Sequence, residues 1–451
     1  MRKVLNKVFD SYIAAVAFFT ATLLYCCAPL MPAVDMFINV LLVWIAGCML
    51  YDFIRTRQPF SRDNIPELLF TIWVPICALV GGMNMIDIKV SIYVLIQTVF
   101  LCNIFRNRDL PVSFDRLVTF ICSLGLVVDI ISLVLYFSSF CQVYKNNVVD
   151  TFLLMGKHPN GSLWGMLCNS NWMSFFALLV FGLALYRISQ KPRRRAFYIV
   201  DAVLAFCVLI FSNSRGSLLG VYIFALALIF LRTFSCNKFS WRNVGKFLLS
   251  TVLAFVILFA STFVLKQVRT LTFYGISLIS QSDGLGGNID LKDFKQERDE
   301  AEKAGSNSAR IALWTLGGSV VKDHPIFGVG YHNIKEEVWS RNTYEVIDSE
   351  NLAANMHNVY IQTVVVTGVV GLLLLLTCIL KPVLTGMVYL FRNKVADDRL
   401  IFVIALLGGF CAINVVESDI VFSRNFMSTI FWILLGYVRF AVPAQERKLL
   451  K

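Results

Sequence analysis

The chain has 451 residues, of which 57% are hydrophobic and 16% are charged, and its formal net charge is +12. Soluble domains average roughly 45–50% apolar and about 25% charged residues, so the composition excludes an ordinary soluble protein and favours a polytopic membrane protein. The basic residues are scattered over many short segments, which excludes the concentrated basic surface of a nucleic-acid-binding protein.

Twelve apolar segments of about the length that crosses a bilayer, roughly 17–25 residues, follow one another along the chain. They are predicted at residues 9–30, 35–54, 65–83, 88–104, 117–138, 168–186, 196–213, 216–232, 247–265, 357–380, 400–417 and 421–440. Pro75 interrupts the third segment, and residues 365–391 have the pattern of one long helix that continues past the bilayer. The first segment has no small-residue cleavage site after its apolar run, which predicts an uncleaved anchor.

Lys and Arg are distributed unevenly among the connecting segments. With both termini placed inside, the seven inner segments hold 26 Lys and Arg residues, whereas the five smaller outer connections hold only 5. Cytoplasmic loops of membrane proteins are enriched in these residues. We therefore predict cytoplasmic termini, and the net positive charge mainly reflects membrane orientation.

The longest polar segment, residues 266–355, lies between the ninth and tenth predicted spans and carries 10 Lys and Arg residues against 13 Asp and Glu residues. The orientation places it outside, together with a shorter segment at 139–167. The expected architecture is an all-α integral membrane fold with three parts. These are helices 1–9 in residues 1–265, an extracytoplasmic loop subdomain in residues 266–355, and helices 10–12 in residues 356–451.

The long outer segment has its own pattern. Its part at 281–305 is Gly-rich and then highly charged, which is typical of a mobile or weakly helical region. Ser306-Asn307-Ser308 predicts a helix start, and Pro325 predicts the end of that helix, which covers 306–323. A tight turn at 327–330 and a short helix at 333–340 follow. Membrane enzymes that work at the bilayer surface often carry a segment of this kind, whereas transporters rarely need one.

Three polar side chains are candidates for chemistry: Arg215 and His357 at predicted membrane boundaries, and Arg310 on the predicted outer helix. Arg215 and Arg310 present planar guanidinium groups that suit a phosphate or pyrophosphate. Alternatively, Arg215 extends its side chain to lipid headgroups, and Arg310 forms a surface ion pair. His357 lies where the long segment re-enters the membrane, and its imidazole has the chemistry to remove a proton from a sugar hydroxyl. The structural alternative is a histidine that satisfies a backbone carbonyl.

Several motifs are absent. The 12 cysteines lie mostly in apolar segments and have no Cys-x-x-Cys spacing, so neither a zinc site nor a redox site is predicted. His324 and His332 are eight residues apart and have no third ligand at motif spacing. No Walker loop and no Asp-x-Asp sequence occurs, which disfavours an ATPase and a metal-dependent nucleotide-sugar transferase. No cofactor and no metal is expected.

Four short motifs occur in a fixed order over residues 160–375. They are Leu163-Trp164-Gly165 with Asn169-Ser170-Asn171, then Phe211-Ser212-Asn213-Ser214-Arg215-Gly216-Ser217, then Arg310 to Trp314 with His324 to Asn333, and finally His357-Asn358-Val359-Tyr360-Ile361-Gln362 with Gly368 to Gly371. In this order and spacing the chain resembles the superfamily of O-antigen ligases and O-antigen polymerases (Wzy), which are bacterial membrane glycosyltransferases. The resemblance implies a multi-pass protein of the bacterial cytoplasmic membrane with its active site facing the periplasm.

The resemblance also implies the reaction. The donor would be a saccharide on undecaprenyl pyrophosphate, and neither metal nor nucleotide would take part. Arg215 and Arg310 would hold the pyrophosphate, and His357 would act as base on the acceptor hydroxyl, with inversion at the anomeric carbon. Further substrate-binding residues would be Asn358, Gln362, Tyr331, His332 and Asn171.

Four functions remain open, the weakest of which is a membrane scaffold whose long outer segment binds a partner protein. The favoured one is a polymerase that adds the glycan to a lipid-linked repeat unit in the bilayer. The second is a ligase that moves the glycan to lipid A core, since both enzymes use similar donor chemistry. A third, from another class, is a transporter or flippase of the same lipid-linked sugars. Asp129 and Asp201 are charges inside spans that such a protein would use, but no internal repeat indicates paired halves.

Overall fold

A computed structural model describes residues 8–56, 64–106, 108–146, 151–158, 161–235, 240–282, 306–347, 350–394 and 396–443. Each of the twelve predicted apolar segments contains a helix. These helices are α1 (Ser11–Tyr25), α2 (Met31–Thr56), α3 (Ile65–Val80), α4 (Met85–Leu95), α5 (Leu110–Phe137), α6 (Ser170–Ser189), α7 (Arg195–Ser212), α8 (Arg215–Phe234), α9 (Trp241–Ser282), α13 (Val359–Asn393), α14 (Asp398–Ile413) and α15 (Phe426–Ala441).

Within the described residues, eight of these helices are long and apolar enough to cross a membrane, and α1, α3 and α15 are shorter apolar helices. The helix α4 reaches spanning length because a π turn at Ile96–Phe100 and a 3-10 turn at Leu101–Asn103 extend it. The helix α3 continues through Pro75. The protein is therefore a multi-pass helical membrane protein. The count of twelve crossings and the orientation stay predictions.

Three further helices lie in the long polar segment: α10 (Ser306–Asp323), α11 (Ile334–Ser340) and α12 (Glu350–Ala353). The first two confirm the helices predicted at 306–323 and 333–340. The long α13 covers the single helix predicted over 365–391, but it is interrupted at Gly368, where the backbone is not helical. The helix α9 runs on to Ser282, so the predicted end of the ninth span at residue 265 falls inside a helix. Most of the predicted mobile region at 281–305 lies outside the described residues.

A small antiparallel sheet between α5 and α6 departs from the expected all-α fold. Its strands are β1 (Cys141–Asn146), β2 (Thr151–Lys157) and β3 (Leu163–Gly165), in the order β1-β2-β3. A register irregularity falls between Gly156 and Lys157, and Gly156 has a φ of 101°. Strands this short, with an irregular register, do not produce a sequence alternation long enough to predict.

The helix α15 forms the centre of the membrane body. Every residue from Phe426 to Arg439 is buried. The long helix α9 lies instead at the edge, where it packs on α8 and exposes large apolar side chains such as Leu249 and Phe259. These exposed side chains suit contact with lipid chains, which are as apolar as they are.

Two glycines allow α8 to lie close against α14. A methyl group on Gly409 would lie 2.8 Å from the carbonyl oxygen of Gly220, and one on Gly220 would lie 2.7 Å from Ile413 Cγ1. Small residues let helix backbones approach one another in membranes, where van der Waals contact drives their packing. The contact brings the first turn of α8 next to the chain that follows α14.

The helix α13 unwinds at Gly368, where φ is 68° and ψ is −177°. The loop before α11 pairs with this break through its backbone. Val329 N donates to Val365 O at 3.0 Å, Gly330 N donates to Val366 O at 3.0 Å, and Val369 N donates to Pro325 O at 2.8 Å. The predicted turn at 327–330 is therefore fixed to the membrane helix.

Candidate active site

His357 lies in a short turn immediately before α13, and the cap of that helix fixes the turn. The side chain of Asn358 accepts hydrogen bonds from Tyr360 N at 2.9 Å and from Ile361 N at 3.0 Å. The backbone N–H of Asn358 donates to Ser418 Oγ at 2.9 Å. An asparagine at this position satisfies N–H groups that the first helical turn leaves without partners.

Side chains from several elements hold the residues next to His357. Gln362 Oε1 accepts from Met356 N at 2.8 Å, Trp314 Nε1 donates to Met356 O at 2.8 Å, and Asn355 Oδ1 accepts from His357 N at 2.8 Å. His357 itself has a φ of 44°, in the left-handed region. A non-glycine residue persists there only where its surroundings fix it, and such residues cluster at functional sites.

The chain between α14 and α15 folds back over this turn. Val359 N donates to Asn414 O at 3.0 Å and to Glu417 O at 2.9 Å. The predicted spans 400–417 and 421–440 were too long at this end, because residues 414–425 are not helical and contain the polar residues Asn414, Glu417, Ser418 and Asp419. We call residues 414–425 the α14–α15 connection.

Glu417 in this connection joins three of the predicted site residues. Its Oε1 accepts hydrogen bonds from Arg310 Nη2 at 3.0 Å and from Asn171 Nδ2 at 2.6 Å. Its Oε2 lies 3.6 Å from His357 Nδ1. Arg310 comes from α10, Asn171 from the first turn of α6, and His357 from the turn before α13. One carboxylate thus brings together side chains from three distant parts of the sequence.

The four groups differ in how far they reach solvent. The side chain of Glu417 is 12% exposed, whereas those of Arg310 and His357 are 27% and 31% exposed. The carboxylate therefore lies underneath, and the guanidinium and the imidazole cover it while remaining accessible. His357 Nδ1 is buried without a hydrogen-bond partner, since 3.6 Å exceeds the normal range. A shift of a few tenths of an ångström would complete the bond to Glu417.

Arg215 begins α8 on the same side of the molecule. Ser214 caps the helix by accepting from Ser217 N at 3.3 Å, and the Arg215 side chain is exposed. A methyl group on Gly216 would lie 2.7 Å from Val416 Cγ2, so the backbone beside Arg215 touches the residue before Glu417. Arg215 therefore starts next to the α14–α15 connection, although it does not contact Glu417.

Two hydroxyl groups link the starts of α6 and α8. Ser174 Oγ lies 2.5 Å from Ser217 Oγ and donates to Asn171 O at 3.0 Å. The helix that carries Asn171 and the helix that carries Arg215 are thus held together one turn below these residues.

Tyr331 and His332 belong to a neighbouring group around Asp87. Both backbone N–H groups donate to Asp87 Oδ1, at 3.0 and 3.2 Å, and His332 Nδ1 contacts Asp87 Oδ2. The Tyr331 ring lies 6.0 Å from that of Phe422, in the α14–α15 connection. Burial raises the pKa of the Tyr331 hydroxyl. These residues border the Glu417 group and form neither a hydrogen bond nor an ion pair with Glu417, and their substrate-binding role stays a prediction.

Asn358 and Gln362 were predicted to bind substrate, and their side chains instead make hydrogen bonds to backbone groups. Both residues are buried, with 6% and 3% of their surface exposed. Their observed contacts fix the backbone on either side of His357. Contact with a sugar remains a prediction for both.

Glu417 is not among the site residues that the sequence predicts. A carboxylate at the end of an apolar run was assigned to a span, where its neighbours Val415 and Val416 look like membrane residues. The available signal was the polar cluster from Asn414 to Asp419, which interrupts two apolar runs. An uncompensated charge at such a depth is costly and marks functional positions.

Asp419 is the second carboxylate of the α14–α15 connection. It accepts from Asn425 Nδ2 at 3.3 Å, and its backbone N–H donates to Asn414 Oδ1 at 2.9 Å. Burial and, second, the nearby negative charge of Glu417 raise the pKa of the Asp419 carboxyl well above its ordinary value. The Asp419 carboxyl thus favours the neutral form.

Among the residues that the structure describes, no group of three or more His, Cys, Asp or Glu side chains is arranged to hold a metal ion. The cationic groups next to Glu417 are instead the side chains of Arg310 and, when protonated, His357. A phosphate-containing ligand at this place would meet a guanidinium group.

The sequence model of a family described as O-antigen ligase matches residues 200–376. The matched region contains Arg215, Arg310 and His357, whereas Asn171 and Glu417 lie outside it. No curated protein matches the chain.

Proposed function

We propose that the chain belongs to the superfamily of O-antigen ligases and polymerases and transfers a glycan from a lipid-linked pyrophosphate to a sugar hydroxyl, a proposal supported by the family match over residues 200–376. The reaction takes place at the outer face of the membrane and uses no metal ion. The acceptor is a second lipid-linked repeat unit, so the protein is a polysaccharide polymerase. Undecaprenyl pyrophosphate is the carrier that the family resemblance suggests.

The observation that carries the proposal is the Glu417 carboxylate shared by Arg310, Asn171 and His357. A carboxylate beside one nitrogen of an imidazole orients the ring and stabilises the cation that forms when the other nitrogen takes up a proton. With Nδ1 directed at Glu417, Nε2 is the atom available to an acceptor hydroxyl. The 3.6 Å separation suits a group that tightens its contact when substrate binds.

Each atom in the transfer has a destination. The acceptor oxygen attacks the anomeric carbon of the donor sugar and forms the new glycosidic bond, while its proton passes to His357 Nε2. The bond between the anomeric carbon and the pyrophosphate oxygen breaks, and the carrier leaves as lipid pyrophosphate. Attack opposite to the leaving group inverts the anomeric centre.

The arginines stabilise the negative charge that develops on the pyrophosphate. Arg310 uses Nη2 for Glu417, and its guanidinium carries five N–H donors in a planar fork that suits phosphate oxygens. Arg215 supplies a second, exposed guanidinium from the start of α8. Fixed cations of this kind are worth several kcal/mol in a transition state, on the order of the effect of a bound metal.

A ligase that transfers the glycan to lipid A core is the second candidate, because the matched family is described as O-antigen ligase. Both candidates use the same donor and the same base. They differ in the acceptor, and no described contact distinguishes a repeat unit from lipid A core.

One reconstituted assay distinguishes the candidates. The purified full chain is incubated in liposomes with a repeat unit on undecaprenyl pyrophosphate, alone or together with lipid A core. A ladder of longer chains without added acceptor supports the polymerase, and product only with lipid A core supports the ligase. If neither product forms while substrate crosses the vesicle membrane, glycan transfer is overturned in favour of transport.

The His357→Ala variant tests the site in the same assay. We expect it to lose about 10²–10⁴-fold in rate, the usual contribution of a general base. His324→Ala is the matched control, because His324 is exposed in the same outer region and makes no side-chain contact with Glu417 in the described structure. Full activity in His357→Ala would contradict the assignment of the base.

A further inference from the structure

A cavity of about 340 Å³ lies at the opposite end of the helices from the Glu417 site. It lies between the last turns of α6 and α8 and the first turns of α7 and α14. Asn171 begins α6 and Glu417 follows α14, so the two sites are separated by a helix of 20 residues, or about 30 Å. We call this space the inner cavity, because the positive-inside distribution predicts that its end faces the cytoplasm.

The walls of the inner cavity combine two chemistries. One part is apolar and is lined by Leu185, Leu228 and Phe402. Its rim carries the cations of Lys191, Arg195 and Arg232. Arg232 also packs over the Phe402 ring, with Cζ at 4.9 Å from the ring centroid, so the basic and apolar parts are continuous.

The rim has more positive than negative charge. Arg232 Nη2 donates to Asp398 Oδ1 at 2.9 Å. Asp398 Oδ2 accepts from Ser189 Oγ at 3.1 Å and from Gln190 Nε2 at 3.0 Å. Asp398 is thus one carboxylate that accepts hydrogen bonds from Arg232, Ser189 and Gln190. The exposed side chains of Lys191 and Arg195 add two further cations at the rim.

We propose that the inner cavity binds one anionic phospholipid, with its phosphate at Lys191, Arg195 and Arg232 and the start of an acyl chain against Leu185, Leu228 and Phe402. A water-soluble anion would use the basic rim alone and would leave the apolar wall exposed. A phospholipid uses both parts. Anionic lipids are enriched in the cytoplasmic leaflet, and basic pockets between helices on that side suit their headgroups.

The sequence offers a matched control for charge. Arg193 and Arg194 stand between Lys191 and Arg195 and are exposed, but they do not line the cavity. Removing two charges at Lys191 and Arg195 or two at Arg193 and Arg194 changes the net charge equally. General attraction to an acidic bilayer would respond equally to both changes.

The test is a titration of the delipidated full chain in detergent with dioctanoyl phosphatidylglycerol, dioctanoyl phosphatidylcholine or inorganic phosphate. We expect saturable binding of phosphatidylglycerol and at least about ten-fold weaker binding in the Lys191→Gln/Arg195→Gln variant, since each lost cation near a headgroup costs several-fold. Arg193→Gln/Arg194→Gln should lose no more than roughly two- to three-fold, through the screened long-range field.

Filling the cavity tests the apolar part without changing charge. Leu228→Trp should prevent lipid binding, whereas Leu219→Trp, on an exposed face of the same helix, should not. Melting curves would reveal whether the charge variants fold. If they do not, the comparison of Leu228→Trp with Leu219→Trp still tests the proposal. Equal losses in the two charge variants, equal affinity for phosphatidylcholine, or binding of phosphate as tight as that of the lipid would each overturn the proposal.

Discussion

Glu417 organises the site, because three predicted residues reach it from two helices and from the turn before α13. Arg310 and Asn171 share Oε1, and His357 approaches Oε2. The carboxylate is nearly buried, and removing one partner of such a group leaves an uncompensated charge. We infer that Glu417 is a positioning residue, since it acts on a hypothetical substrate only through the imidazole and the guanidinium.

The Glu417→Gln variant should keep the fold but lose most of the transfer rate. The glutamine oxygen can still accept from Asn171 Nδ2, whereas the negative charge that favours an imidazolium is gone. We expect kcat to fall by at least about 10²-fold, within the range of general-base contributions, with a smaller change in the KM of the donor. Rates from single-turnover assays in liposomes would check this.

A merely structural role for Glu417 predicts a different pattern. The melting temperature of Glu417→Gln would then fall together with its activity. Glu417→Asp, which keeps the negative charge, would also show a low melting temperature and a low activity. The nearby Asp419→Asn variant is the matched control, because it removes a neighbouring carboxylate that contacts neither Arg310 nor His357 in the described structure. Equal rates for Glu417→Gln and the wild-type protein would contradict the positioning role.

The raised pKa of Asp419 predicts how stability depends on pH. Folding favours the protonated carboxyl, so its stabilising contribution is complete below the unfolded pKa of about 3.9 and is lost as pH rises through the folded pKa. Asp419→Asn removes this titration. Between pH 5 and 8 we expect the free energy of unfolding of Asp419→Asn to rise relative to that of the wild type, by at most about 1.4 kcal/mol per pH unit.

Melting curves of detergent-solubilised protein across this pH range would measure the effect. Glu345→Gln is the control, because Glu345 is exposed in the same outer region. If Asp419→Asn and wild type melt in parallel at every pH, Asp419 is not the group responsible.

The motifs around Gly328 and Gly368 are about 40 residues apart in the sequence, and in the structure their backbones are in direct contact. The loop at 325–330 hydrogen-bonds to the backbone at 365–369, where α13 is unwound. A methyl group on Gly368 would lie 1.9 Å from Ile326 O, and one on Gly328 would lie 2.4 Å from Val365 O. Both glycines are needed because two backbones touch at positive φ.

Gly368→Ala should therefore be strongly destabilising. The substitution combines a backbone conformation that only glycine adopts readily with direct overlap on a carbonyl oxygen, and we expect a cost of about 3 kcal/mol or more. Gly318→Ala is the matched control, since Gly318 is exposed in α10 with open space around it. It should be neutral or stabilising by roughly 0.5–1 kcal/mol. Thermal unfolding would measure both, and equal melting temperatures would refute the pairing argument.

Helices were predictable wherever apolar runs and end signals coincided. Asn358 and the Ser306-Asn307-Ser308 run each mark a helix start, and Pro325 follows a helix end. The ends of α14 and α15 were not predictable from hydropathy, because Val415, Val416, Ile420 and Val421 continue the apolar runs on both sides of the polar residues. Backbone hydrogen bonds from a distant helix, such as Val359 N to Glu417 O, decide that these residues are not helical.

The site could be predicted only where local sequence motifs mark its residues. Arg215 and His357 stand in recognisable motifs at membrane boundaries, and Arg310 stands in one on the predicted outer helix. Glu417 and its contact with Asn171 require the packing of α6 against α14 and the return of the connection over α13, which are long-range contacts. No local sequence pattern indicates whether His357 will contact Glu417 or Asp419.

The positive-inside distribution makes a prediction about the full chain that chemical labelling can check. Among the cysteines that the structure describes, Cys141 alone is exposed, and it belongs to the predicted outer segment 139–167. An impermeant maleimide should therefore label spheroplasts of the wild-type strain at Cys141, and Cys141→Ser should abolish this labelling. In a chain with Cys141→Ser and Cys236→Ser, the added Arg194→Cys lies at an exposed position of the predicted inner segment 187–195 and should react only after permeabilisation. The reverse pattern would invert the topology and move the Glu417 site to the cytoplasmic face. The Glu417 site could then not contact a lipid-linked glycan at the outer face. Glycan transfer at that face therefore requires Cys141 and His357 to lie on the same side of the membrane.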